Sequence, residues 1–140
     1  ADSARLVSAA DKTARVWNVA DGALFAEVTA TNDVTSAIAL GDGKRLATAH
    51  GDKNILTWKL PDAAGGKAEP GAVIAAQGAV SLLDVVSAAQ FLATGADGTV
   101  RVLNADNGSA IRTLAHGSPV AALAVSPDGK RLATCGREDI

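Results

Sequence analysis

Methionine and tyrosine are absent from this 140-residue chain, cysteine occurs once, and aromatic residues make up only 3% of it. The lone Cys135 rules out an internal disulfide. With two Trp and two Phe, the core has to be built from Val, Leu, Ile and the 31 alanines, which bury less area per residue than large aromatics. No apolar run reaches the roughly 18 residues of a membrane-spanning helix. Basic residues never run beyond the pairs Lys44-Arg45 and Lys130-Arg131, and the net charge is -2, which argues against a nucleic-acid or anionic-membrane partner. The chain has no Gly-x-Ser-x-Gly, no phosphate-cradling loop ending in Lys-Ser/Thr, no Cys-x-x-Cys and no His-Glu-x-x-His, so no catalytic residue, cofactor site or metal site is assigned. Neither His50 nor His116 has an evident partner ligand in the sequence. Without an initiator Met and opening inside a repeat, the chain looks cut, and the missing leader leaves the compartment unread.

What the chain has instead is repetition. Arg5-Leu6-Val7-Ser8-Ala9-Ala10-Asp11-Lys12-Thr13-Ala14-Arg15-Val16-Trp17-Asn18 returns in similar form over Arg45 to Trp58, again over Phe91 to Asn104, and begins a fourth time at Arg131-Leu132-Ala133-Thr134. Repetition at about this period marks stacked units, none of which buries its apolar face alone. Cys135 stands where other copies carry Ala9, Ala49 and Gly95, and so reads as a small buried hydrophobe.

Alternation and turn chemistry resolve each period into short strands. Strands are expected over 6–10, 14–19, 24–28, 34–40, 45–49 and 120–125, separated by turns such as Asp21-Gly22, Gly41-Asp42-Gly43-Lys44 and Ser126-Pro127-Asp128-Gly129-Lys130. No stretch reads as helix. Gly65-Gly66-Lys67-Ala68-Glu69-Pro70-Gly71 reads as an inserted, exposed loop. Asp11, Asp52, Asp97 and Asp139 recur at one turn, where each is expected to accept backbone amides of its own turn. Asp84 aligns with Ile38 and Ala124 on the inner strands and reads as a solvated carboxylate.

These residues resemble the WD40 repeat of β-propellers. The likeness rests on Ala115-His116, Ser126-Pro127-Asp128-Gly129, Leu132-Ala133-Thr134, Asp11-Lys12-Thr13 and Trp17-Asn18, in order and at the right period. It departs from the family pattern where Leu103 replaces the Trp, where Lys59 follows Trp58, and where only His116 holds the family's His position. The resemblance implies that the buried His–Ser/Thr–Asp–Trp network is complete in no repeat. It implies an all-β propeller of four-stranded antiparallel blades, a single partial domain over residues 1–140 with repeats at about 1–20 (partial), 21–60, 61–105 and 106–140 (partial). In that frame Trp17 and Trp58 both belong between blades, as structural positions.

About thirteen strands make roughly three and a quarter blades, whereas closed propellers have about 4 to 8. The chain is therefore expected either to assemble with a second copy as a homo-oligomer or to be part of a longer propeller. The expected function is a non-catalytic scaffold binding a protein partner through one face. That face carries the loops from outermost to innermost strand and from third to fourth repeat strand, with Lys12, Asn32, Asp33, Lys53, Gln77, His116 and Arg137. Two other readings stay open: an accessory propeller of a larger enzyme or electron-transfer protein, and an excised or engineered fragment that self-assembles.

Overall fold

The computed structural model describes residues 4–76 and 78–136, and among them there are thirteen β-strands and no helix. The strands are β1 (Arg5–Ala10), β2 (Thr13–Asn18), β3 (Leu24–Thr29), β4 (Val34–Ala39), β5 (Arg45–His50), β6 (Asn54–Lys59), β7 (Glu69–Ala75), β8 (Val80–Ser87), β9 (Gln90–Gly95), β10 (Thr99–Asn104), β11 (Ala110–Ala115), β12 (Val120–Val125) and β13 (Leu132–Gly136). They form four antiparallel sheets: β1-β2-β3, β4-β5-β6-β7, β8-β9-β10-β11 and β12-β13. We call these blades 1 to 4. Blades 2 and 3 are complete meanders whose first strands, β4 and β8, lie innermost. Among the described residues blade 1 has no innermost strand and blade 4 has no outer pair, and the ring is not closed.

Period-two alternation gives each blade two apolar faces, and the core lies between blades rather than within them. Ala14, Val16, Phe25 and Val28 of blade 1 meet Leu46 and Trp58 of blade 2. The other face of blade 2, with Ala47, Ala49 and Ile55, meets Leu83, Phe91 and Leu103 of blade 3. Leu92 and Val100 of blade 3 then meet Val120 and Leu132 of blade 4. Polar bonds stitch the inner strands, where Ser36 Oγ accepts the Leu83 amide at 3.1 Å and Thr35 donates to the Val80 carbonyl at 3.2 Å.

Two arginines in equivalent repeat positions clamp neighbouring blades on the side of the β4–β5 turn. Arg5 donates to the Gly43 carbonyl and lies over the Phe25 ring, 3.6 Å from its centroid. Arg45 donates to the Ala88 carbonyl at 2.6 Å and pairs with Asp42 and Asp106. Burial works against the Asp42 carboxylate, yet the Lys44 amide and the Arg45 guanidinium hold its pKa below the usual value.

Blade 3 departs from its neighbours by one residue of register. In blade 2 Leu46 stands opposite Trp58, whereas in blade 3 Phe91 stands opposite Leu103. The sequence alignment put Leu92 in the place of Leu46, and a slip of one residue exchanges the faces of the whole strand. The fully buried Phe91 thus takes the place that Leu46 has in blade 2, beside a Leu103 smaller than the Trp it replaces. Thr94 consequently turns away from Leu103 and its hydroxyl oxygen accepts the Leu82 amide at 3.1 Å.

Three expectations are corrected. Glu69, Pro70 and Gly71 belong to β7 rather than to the inserted loop. Proline is tolerated there because β7 is an outer edge strand. A side chain at Gly71 would lie 2.7 Å from Thr57 Oγ1, which already accepts the Ala72 amide at 2.8 Å. Cys135 is exposed rather than buried, because its face of blade 4 has nothing against it. Trp58 packs between blades 1 and 2, but Trp17 lies on the uncovered face of blade 1, in a cross-strand row with Leu6 and Leu24. Asp84 is half-buried on β8, and its carboxylate accepts the Val85 amide at 2.8 Å.

Replacing Phe91 by Ala is expected to cost about 3–5 kcal/mol, the usual penalty for emptying a buried aromatic site. Trp17→Ala in the same chain is expected to cost clearly less than Trp58→Ala. Equilibrium urea unfolding of the three variants checks both statements.

Candidate interaction face

The loops after β1, β5 and β9 and those after β3, β7 and β11 lie on one side of the arc and are bonded together through their main chains. Ala30 N donates to Lys12 O at 2.7 Å, Ala76 N to Lys53 O at 2.9 Å, and His116 N to Gly98 O at 2.9 Å. Gly51 N donates to Asp33 O at 3.2 Å and Ala96 N to Ala79 O at 3.0 Å, extending the β4–β5 and β8–β9 ladders, and Val34 N of blade 2 donates to Asp11 O of blade 1. Main-chain bonding of this kind fixes the loops while leaving side chains at their tips free to face solvent.

Lys12, Asn32, Asp33, Gly51 and Asp52 line one shallow groove of about 520 Å³ between blades 1 and 2. All five are exposed. Lys53 stands next to the groove in the same turn, with a left-handed backbone at φ 68°. His116 lies apart from these residues, at the entry to blade 4, and is half-buried. Gln77, Arg137 and Asp139 lie outside the described residues.

The recurring aspartates divide into two types. Asp52 and Asp97 each accept the amide two residues on, from Asn54 at 3.2 Å and Thr99 at 3.1 Å. The Asn54 side chain, aided by its backbone amide and by Asn32, holds the Asp52 carboxyl below the usual carboxylate range. The Thr99 hydroxyl and then the Arg101 guanidinium lower Asp97 to about 2. Asp11 behaves differently. It takes the left-handed conformation itself, at φ 51°, in a two-residue turn, and its carbonyl oxygen receives the Val34 amide.

Beneath the groove runs a hydrogen-bonded chain that the sequence did not disclose. Trp58 Nε1 donates to Thr48 Oγ1 at 2.9 Å, and Thr48 Oγ1 lies 2.8 Å from His50 Nε2. His50 Nδ1 is 3.3 Å from the Asn32 carbonyl, and the Asn32 side chain donates to Asp52 at 2.6 Å. A neutral imidazole with its proton on Nδ1 satisfies every member, since Thr48 then donates to Nε2 and accepts from the indole. Blade 2 thus assembles Trp, Thr, His and Asp although its His comes from the end of β5 rather than from the loop before the innermost strand. His50 and Thr48 are both fully buried, which makes this His a structural residue beneath the face. Fragments of the same chain occur at the two ends of the arc. Trp17 Nε1 donates to Ser8 Oγ at 2.8 Å in blade 1, and Thr134 Oγ1 lies 3.0 Å from His116 Nδ1 in blade 4. Only the recurrence of His, Thr and Trp hinted at this arrangement, because linear spacing does not show which strand end a ring reaches.

The lowered pKa of Asp97 makes an acid-stability prediction. The unfolded chain, with an ordinary aspartate near 3.9, binds the proton before the folded chain does, so the contribution is present above about pH 4 and is lost as pH falls towards about 2. The carboxylate is 39% exposed, so solvent screens the effect and added salt weakens it. Asp97→Asn is expected to cost at most about 1 kcal/mol at neutral pH and to flatten the loss of stability between pH 4 and 2. Urea midpoints measured across that range for both proteins test it.

The family described as WD domain, G-beta repeat matches residues 108–139. No curated protein sequence matches the chain. Among solved structures it is similar to the WD40 β-propeller domain of Doa1, with a TM-score of 0.78 and 23% identity. The match covers 96% of this chain and 44% of that one, so this chain spans less than half of the structure it resembles. Since 1073 solved chains match, the likeness identifies an architecture and leaves the ligand unspecified. Residues 108–139 are a WD40 repeat, and the chain as a whole has the WD40 β-propeller fold, as an open arc of two complete four-stranded blades flanked by two partial ones.

Proposed function

We propose that this chain is a scaffold module that holds a protein partner on the face bearing Lys12, Asn32, Asp33 and Lys53. The observation that carries this reading is the groove at the junction of blades 1 and 2. It gathers exposed groups of both charges and an amide from separate loops, on a support fixed by main-chain bonds and by the Trp58–Thr48–His50 chain below. Loops held this way lose little further freedom on binding, which favours a complementary polar surface. Charges at such a rim act mainly on partner choice and association rate. Lys12 and Asp33 are the direct contacts. Asp52 acts through Asn32 and Asn54, which it orients. His116 is bonded to Thr134 and supports the entry to blade 4.

Reversing both rim charges in Lys12→Glu/Asp33→Lys is expected to weaken partner capture at least tenfold while leaving the melting curve unchanged. The matched change Lys44→Glu/Lys130→Glu, in turns on the opposite side, is expected to leave capture intact. Affinity capture from extract of the source cells, quantified by mass spectrometry for the three proteins, makes the comparison. Equal capture by all three would overturn the assignment of this face.

A further inference from the structure

The joint between blades 2 and 3 is built from smaller side chains than the joint between blades 1 and 2. On the face that blade 2 turns to blade 1, Trp58, Thr48 and His50 stand together and are hydrogen-bonded. The strand registers put Leu103, Ala93 and Gly95 at the same points of the face that blade 3 turns to blade 2. Each of the three is smaller than its counterpart. The difference is made up in two places only. Phe91 stands where blade 2 has Leu46, and the Asp97–Arg101 pair, bonded at 2.8 Å, reaches over Gly95. A side chain there would collide with the Asp97 carboxylate and lie 3.3 Å from Arg101 Nη1. Between these two places is a cavity of about 290 Å³, lined by Ile74, Ala93, Gly95, Leu103 and Arg101. Its exposed lining residues, Ala75, Ala110 and Thr113, belong to β7 and β11, so it opens on the outer rim. Both enclosing blades have all four strands, which makes the cavity a property of this joint.

We propose that this cavity is a docking pocket for an aromatic side chain of a protein partner, which enters between β7 and β11 and lies as the Trp58 ring lies at the neighbouring joint. The site is separate from the charged groove, which belongs to blades 1 and 2. Charge selects the class of occupant. An acidic side chain would meet the Asp97 carboxylate and a basic one the Arg101 guanidinium, so both ions are disfavoured. An aromatic ring buries apolar area against Ile74, Ala93 and Leu103, and its face attracts the guanidinium, which an aliphatic chain does not. The position of the mouth selects the source. β7 and β11 are the last strands of their sheets, and such edges accept an extended peptide whose side chains drop into neighbouring pockets. One aromatic anchor in a desolvated pocket carries much of the affinity of a small interface.

Indole is the first probe. Titrated into isotope-labelled protein, it is expected to shift the amide signals of Ala93, Gly95 and Leu103 saturably and to leave those of Ala14, Val16 and Val28, at the other joint, in place. No saturable shift, or one centred elsewhere, would overturn the pocket. Leu103→Trp supplies a ring from within the chain and Ala93→Leu fills the cavity from β9, and each is expected to abolish the shifts. Undiminished indole binding by either variant, with its β-sheet circular dichroism retained, would overturn the location. A second arm tests the source. Random peptides displayed on phage, selected on the unaltered protein and depleted on Ala93→Leu, are expected to converge on sequences with one fixed Trp, Tyr or Phe. Exchanging that residue for Ala in a synthetic peptide is expected to weaken binding about tenfold or more, and exchanging it for Leu severalfold. Convergence without an aromatic residue, or saturable indole binding with no peptide enriched, would overturn the assignment to a partner's side chain.

Discussion

Every blade of this protein has two apolar faces, and from that constraint most of the structure follows. A sheet with a single apolar face is satisfied by one neighbour, whereas these sheets need one on each side. The alternation that sends Ala14 and Val16 towards blade 2 sends Leu6 and Trp17 the other way. Stacking is therefore obligatory, and each added blade buries one face while presenting another. Because alanine is so common at these faces, the blades approach closely and the few large side chains set the spacing. Phe25, Trp58 and Phe91 each fill a junction that alanine and valine alone would leave loose.

The same constraint explains what could be read from the sequence. Strand positions, turn types and blade order were legible because they are local: a Gly at a left-handed turn or an alternating Val-x-Val says the same thing in any context. The outcome was less legible wherever two blades or two strands negotiate. The register of β9 sets Phe91, not Leu92, opposite Leu103, which an alignment by identity cannot express. The exposure of Cys135 and Trp17 depends on neighbours, and their slots within the repeat were correctly placed while their surroundings were not.

The candidate face shows the same division. The positions of Lys12, Asn32, Asp33 and Lys53 followed from strand order alone. The gathering of Lys12, Asn32 and Asp33 into one groove, with Lys53 beside it and His50 below, depended on the distance between loops of different blades. His50 was the least readable of these residues, since the family resemblance directs attention to the loop position held by His116. Its role arises because a ring at the end of β5 reaches Thr48 on the same face of the same strand, two residues away.

The two sides of the arc are tied by bonds of different kinds. On the loop face that carries the groove, blades 1 and 2 are joined by a main-chain bond from the Val34 amide to the Asp11 carbonyl, which responds little to ions in solution. On the opposite side blades are joined by guanidinium groups, with Arg45 reaching exposed carboxylates at Asp42 and Asp106. Salt screens only the second kind. Rising ionic strength therefore weakens the contacts of the side bearing the arginines and leaves the main-chain bond beside the groove as it is.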